Sequence, residues 1–141
     1  MCMVAYIASR STLPLIPFQE SSPAFNVTEL TRHEQRVLSH LPLPHVRQAG
    51  SHTSCGCGFN EGREHPEVYD AAGAARADAL VSASGLARYV REHHVELIYS
   101  CWSGDEGEPQ EDERYVTPED LVAEDFFFRE RELLVIKHEA G

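Results

Sequence analysis

The stretch Val95-Glu96-Leu97-Ile98-Tyr99-Ser100-Cys101-Trp102 constrains the fold more than any other part of the chain. Side chains alternate along an extended chain, so Val95, Leu97, Tyr99 and Cys101 share one face while Ile98 and Trp102 occupy the other. Apolar groups on both faces need cover on both sides, which predicts an interior strand of a layered sheet. Apolar runs at 3–8 and 133–137, an alternating stretch at 25–30 and a short strand at 45–49 that feeds the Cys-Gly-Cys loop supply its neighbours. Thr31 followed by Glu34 is a capping-box pattern; it opens a helix that reaches about Leu41 with Val37, Leu38 and Leu41 inward, and Pro42 and Pro44 stop it.

A longer helix follows the alanine-rich stretch from Ala71, with Ala79, Ala83, Leu86, Ala87 and Val90 on one face. It closes at His93 and His94, whose rings point apart and suit the negative end of a helix. Thr117-Pro118-Glu119-Asp120 is a further helix start. Phe126-Phe127-Phe128 and Leu133 to Ile136, across a charged segment, suit a hairpin. This order of elements predicts an α+β fold: one domain over residues 1–141, with a mixed four- to five-stranded sheet packed against two or three helices. One core is expected, built from Val4, Tyr6, Ile7, Val27, Leu38, Leu86, Val90, Leu97, Tyr99, Leu134 and Ile136.

The formal net charge is −11, which argues against nucleic acid and anionic membrane surfaces as partners, since both are polyanions. Much of that charge is local. An acidic loop at about 103–115 carries Asp105, Glu106, Glu108, Glu111, Asp112 and Glu113, and repulsion among them predicts that 104–114 is mobile and dispensable. Asp105, Glu106 and Glu108 lack the ligand spacing of a calcium loop, so a solvated turn is expected there. Met1 to Ala8 is apolar but has no basic flank, and Ser9-Arg10-Ser11 breaks it, unlike a secretory signal. The cytosol is the expected compartment, with Cys2, Cys55, Cys57 and Cys101 reduced. An oligomer, and a small-molecule or protein partner, stay open.

Chemistry concentrates in Ala49-Gly50-Ser51-His52-Thr53-Ser54-Cys55-Gly56-Cys57-Gly58-Phe59. Cys55 and Cys57 can present two sulfurs to one point. With His52 and Cys101, or Cys2, they make a tetrahedral zinc site or a softer copper(I) site. The same residues suit thiol chemistry: Cys57 attacks, Cys55 resolves, and His52 lowers a thiol pKa. Cys2 becomes an N-terminal nucleophile if Met1 is removed. Cys57 to Arg63 also spells Cys-x5-Arg, a phosphate cradle, although Glu61 and Glu64 oppose it. A plain structural glycine-rich loop in a non-catalytic protein is the remaining reading. Cys101 reaches the loop only if the strands ending at Ala49 and Cys101 run parallel. Cys2 joins only if its own strand runs antiparallel to both.

The near-terminal Met-Cys, the Gly-Ser-His-x-x-Cys-Gly-Cys-Gly-Phe loop, the Cys-Trp-x-Gly-Asp-Glu turn and the Glu-Asp-Leu…Phe-Phe-Phe segment resemble those of a group of small uncharacterised bacterial proteins. The resemblance covers most of the chain and implies a family without implying an activity.

Overall fold

The strand β1 (Met3–Ser9) is buried along its whole length, with partners on both sides. Seven consecutive buried residues with no net polarity suit the middle of a sheet. In the computed structural model, which describes residues 2–20, 24–64 and 73–139, β1 pairs antiparallel with β3 (His45–Ser51) on one side and β4 (Leu97–Trp102) on the other. β2 (Phe25–Thr28) closes one edge against β3. Beyond β4 lie β6 (Glu132–Ile136) and β5 (Asp112–Val116), the latter two parallel to each other. The order is β2-β3-β1-β4-β6-β5, a mixed sheet of six strands, slightly more than the four or five expected.

Two apolar clusters sandwich this sheet, where one core was expected. Met3, Ala5 and Ile7 point into a cluster with Leu86 and Val90 of α2 (Ala74–Glu92), together with Phe59 of the one-turn helix α1 (Cys57–Asn60). Val4, Tyr6 and Ala8 point the other way, into a cluster with Val37, Leu41, Tyr99 and Cys101. Strand parity makes the division, because alternate residues of a two-faced strand cannot share one core. Val95 precedes β4 and joins the α2 side, away from Tyr99 and Cys101.

The helix expected after Thr31 is a 3-10 helix over His33–Ser39. Its tighter winding leaves Leu38 41% exposed while Val37 and Leu41 are buried. Half of the capping box forms: the Thr31 N–H donates to Glu34 Oε1 at 2.7 Å. Residues 71–72, the expected start of the long helix, lie outside the described residues; Gly73, at φ 78°, caps α2 in a left-handed conformation that glycine adopts without strain. His93 packs at a tilt on Tyr89 and His94 stacks on His138, at 4.4 and 4.0 Å between ring centres, so the adjacent rings do diverge. A second 3-10 helix (Pro118–Val122) carries the full Thr117–Asp120 capping box.

The acidic stretch is not a detachable fringe. Its second half is β5, whose backbone pairs with β6 whatever charges its side chains carry. Its first half buries Glu106, which is 3% exposed and accepts hydrogen bonds from the Tyr6 hydroxyl at 2.7 Å and the Gly104 N–H at 3.0 Å. Glu34 meets the same hydroxyl at 2.9 Å. Burial and these two carboxylates push the Tyr6 phenol far above its usual range, so it stays a donor. The expected hairpin is also absent among the described residues. β6 pairs with β4 and β5, while Phe126 and Phe128 turn into the α2-side cluster. Asn60 fixes that turn with a two-way bond to the Phe128 backbone, donating at 2.9 Å and accepting at 2.7 Å. No described helix is long and apolar enough to cross a membrane.

Candidate metal centre

β3 runs out at Ser51, and the chain folds back on it at once. The Ser51 N–H and hydroxyl both donate to Cys55 O, at 2.8 and 2.6 Å, and Ser54 takes φ 70° to complete the turn. Gly56 then donates its N–H to Met3 O at 2.9 Å, which docks the loop against the first residue of β1. This contact explains the glycine: a Cβ there would stand 2.8 Å from Met3 O, closer than a backbone carbonyl tolerates. Gly58 is held to a bare backbone by the Ser51 side chain in the same way.

Docking carries the thiols with it. The Met3 N–H points at Cys57 Sγ, 3.2 Å away, and the Thr53 hydroxyl lies 3.5 Å from Cys55 Sγ. Cys2, one residue before β1, is held by its carbonyl, which accepts from the Ser103 N–H at 2.7 Å. The sulfurs of Cys2, Cys55 and Cys57 all lie within 4.8 Å of one another. β1 is antiparallel to both β3 and β4, so those two strands run the same way and end at one edge of the sheet. That is the condition under which Cys2 joins the loop, and it does.

Cys101 does not join. The β3 and β4 ends meet as expected, but Cys101 pairs in register with Val4 and shares its face, in the cluster opposite α2. Cys57 packs on the α2 side. The sheet therefore stands between Cys101 and the three thiols, and burial, then the charges of Glu106 and Asp105, push the Cys101 thiol up to about 12. His52 lies beside the loop with both ring nitrogens engaged, Nδ1 with Ser82 Oγ at 2.8 Å and Nε2 with Glu61 Oε2 at 3.3 Å. The His52 N–H already donates to Ser82 Oγ at 3.0 Å, so the Ser82 hydroxyl proton is free for Nδ1. The other nitrogen then carries its proton towards Glu61.

The phosphate-cradle pattern is a structural clamp. Arg63 is buried, and its guanidinium donates to Phe59 O, Leu121 O and Ala123 O at 3.0, 2.6 and 2.6 Å. Burial lowers its pKa to about 10. These bonds turn it away from any cradle and tie the segment after Cys57 to the chain near Phe126.

The thiols themselves are unequal. Burial raises the Cys55 thiol, but hydrogen bonds from Thr53, the Cys57 backbone, and the Cys57 and Cys2 thiols outweigh it and hold Cys55 below the usual range. For Cys57, burial wins over the Met3 N–H, and the Cys55 charge adds to it, raising the thiol to about 11. A first negative charge therefore settles on Cys55. The geometry of the three sulfurs is one that can hold a metal ion. Sequence reasoning named Cys55 and Cys57 but ranked Cys101 above Cys2 as their companion. Parity against Tyr99, with which Cys101 shares a face, is the signal that excludes Cys101; that Cys2 takes its place depends on its lying outside β1. No family model, curated relative or solved structure matches the chain.

Proposed function

We propose that the protein binds a thiophilic metal ion, zinc or copper(I), through Cys2, Cys55 and Cys57. One observation carries the reading: three thiols from two segments far apart in sequence lie within 4.8 Å. Zinc bonded to sulfur at about 2.3 Å holds its sulfurs about 3.8 Å apart, so a contraction of about 1 Å completes the site. Copper(I) accepts the same three donors in a plane. The fourth zinc position falls to water or an outside ligand, because His52 is engaged elsewhere. Net charge supports a reading in which neither nucleic acid nor an anionic membrane is the partner. The test is elemental analysis with native mass spectrometry on protein purified without chelator. One equivalent of metal in the wild type, lost in Cys57→Ser, is expected; metal-free protein with no affinity for either ion overturns the reading.

A second reading, thiol-based redox or nucleophilic chemistry, is favoured by the unequal thiols. Cys55, held low, takes the attacking role, and Cys57 or Cys2 resolves, which reverses the order expected from the sequence. Rapid single-site alkylation of metal-free protein supports this reading. Uniform slow alkylation of all the thiols removes it.

A further inference from the structure

The cluster is made of sulfur alone. Cys2, Cys55 and Cys57 close the group at three donors among the described residues, and the imidazole of the same loop, that of His52, is committed to Ser82 and Glu61. Zinc in such a site still needs a fourth ligand. An ion whose complete coordination is three sulfurs needs nothing more.

Charge points the same way. The hydrogen-bond donors to the sulfurs are neutral, the Met3 N–H and the Thr53 hydroxyl. Three thiolates around copper(I) keep two negative charges and around zinc one, in a pocket where Cys55 and Cys57 are half-buried. Uncompensated charge in a desolvated site is costly. A trivalent ion leaves none.

Resting on the reading that this cluster binds soft ions, we propose that it takes trivalent arsenic, as arsenous acid, in a three-thiolate complex. The reaction is a condensation without redox change. Three As–O bonds and three S–H bonds break, three As–S bonds form, and each departing hydroxyl leaves as water with one thiol proton. Cys2 is exposed and Cys55 and Cys57 are half-buried, so the acid enters from solvent at the Cys2 sulfur. Softness of the sulfur donors supplies the affinity, and their number supplies the selection.

The experiment uses the full chain with four probes: zinc, copper(I), arsenite and phenylarsine oxide, the last of which takes only two thiols. Native mass spectrometry should show one arsenic bound to the wild type with loss of three protons. Cys2→Ser, Cys55→Ser and Cys57→Ser should each lose that complex yet still bind phenylarsine oxide through the remaining pair, with a wild-type circular-dichroism spectrum and cooperative melt showing that each variant is folded. Cys101→Ala should bind arsenite as the wild type does. Arsenite binding that survives Cys2→Ser undiminished overturns the three-sulfur assignment. Zinc or copper binding without arsenite binding overturns this proposal and leaves the metal reading standing. Failure of all four probes on folded wild type overturns both.

Discussion

Cys101 sits in β4 and Cys2 one residue before the neighbouring β1, at one end of the same sheet, yet they live in opposite chemical worlds. Cys2 is exposed and lies within reach of two other sulfurs. Cys101 is fully buried on the far face, beside Val4 and Tyr99, with Glu106 and Asp105 adding negative potential. Nothing in residue type separates them. What differs is that Cys101 lies inside β4, where the pleat fixes it on the Val4 face, whereas Cys2 lies one residue outside β1, where alternation no longer dictates its direction. The thiol face is a site because a glycine-rich loop is docked on it. The opposite face is structural because its polar groups, Tyr6, Glu34 and Glu106, satisfy one another.

The largest effect on that comparison should come from undocking the loop. Gly56→Ala forces a Cβ against the Met3 carbonyl, which cannot move without pulling β1. Overpacking of this kind costs about 1–3 kcal/mol. Denaturant melts should show that loss, and elemental analysis should show the metal gone with it. A variant with wild-type stability and metal content would mean that the Gly56–Met3 contact does not organise the thiols.

Next in size is the opposite face. Glu106→Ala removes one of the two carboxylates that face the Tyr6 hydroxyl; Glu34 keeps that hydroxyl paired, so the expected loss is that of one hydrogen bond, about 1.5 kcal/mol. Metal content should stay at the wild-type level, since the sheet separates the two regions. Loss of metal in Glu106→Ala would break the comparison. Unchanged stability would restore the expectation, drawn from charge alone, that the acidic stretch is dispensable.

That expectation shows where the sequence stops being legible. β1, β4 and β6 announce themselves as apolar runs, and the long helix by its alanine and leucine stripe. β5 does not, because Asp112-Glu113-Arg114-Tyr115-Val116 is an edge strand whose pairing is made by backbone groups while most of its side chains face water. Glu106 looks like one more surface acid until the fold brings Tyr6 to it from a hundred residues away. The site was half legible. Cys55 and Cys57 are marked by their glycines, whereas the choice between Cys2 and Cys101 depended on strand direction, on parity, which excludes Cys101, and on the strand beginning only at Met3, which frees Cys2 from the face that alternation would give it. The histidine was misleading for a local reason, since only the fold brings Ser82 to its Nδ1.

A smaller effect is expected at Cys101 itself. Cys101→Ala removes a fully buried sulfur and should cost about 1 kcal/mol, comparable to one buried methylene. Metal stoichiometry should not move. A Cys101→Ala protein that loses its ion would place that sulfur in the site after all.

The finest distinction lies within the thiol face, between two cysteines separated by one glycine. Cys55 is held below the ordinary thiol value of 9.0, and Cys57 is raised from it to about 11. Metal-free protein treated with iodoacetamide just below the ordinary thiol range should therefore be modified at Cys55 before Cys57, by peptide mapping. The two also act oppositely on stability. Folding favours the protonated form of Cys57, so its contribution is complete below pH 9.0 and is lost as pH rises towards about 11. Folding favours the thiolate of Cys55, so its contribution is present above the ordinary value and fades as pH falls through its lowered pKa. Metal-free Cys57→Ala should then lose less stability than the wild type between pH 9.0 and about 11, while a bound ion, which keeps the sulfur ionised throughout, should flatten the difference. Equal alkylation of Cys55 and Cys57 would mean that the hydrogen bonds of the Cys-Gly-Cys turn do not distinguish its two sulfurs in solution, and the nucleophile reading would lose its one supporting observation.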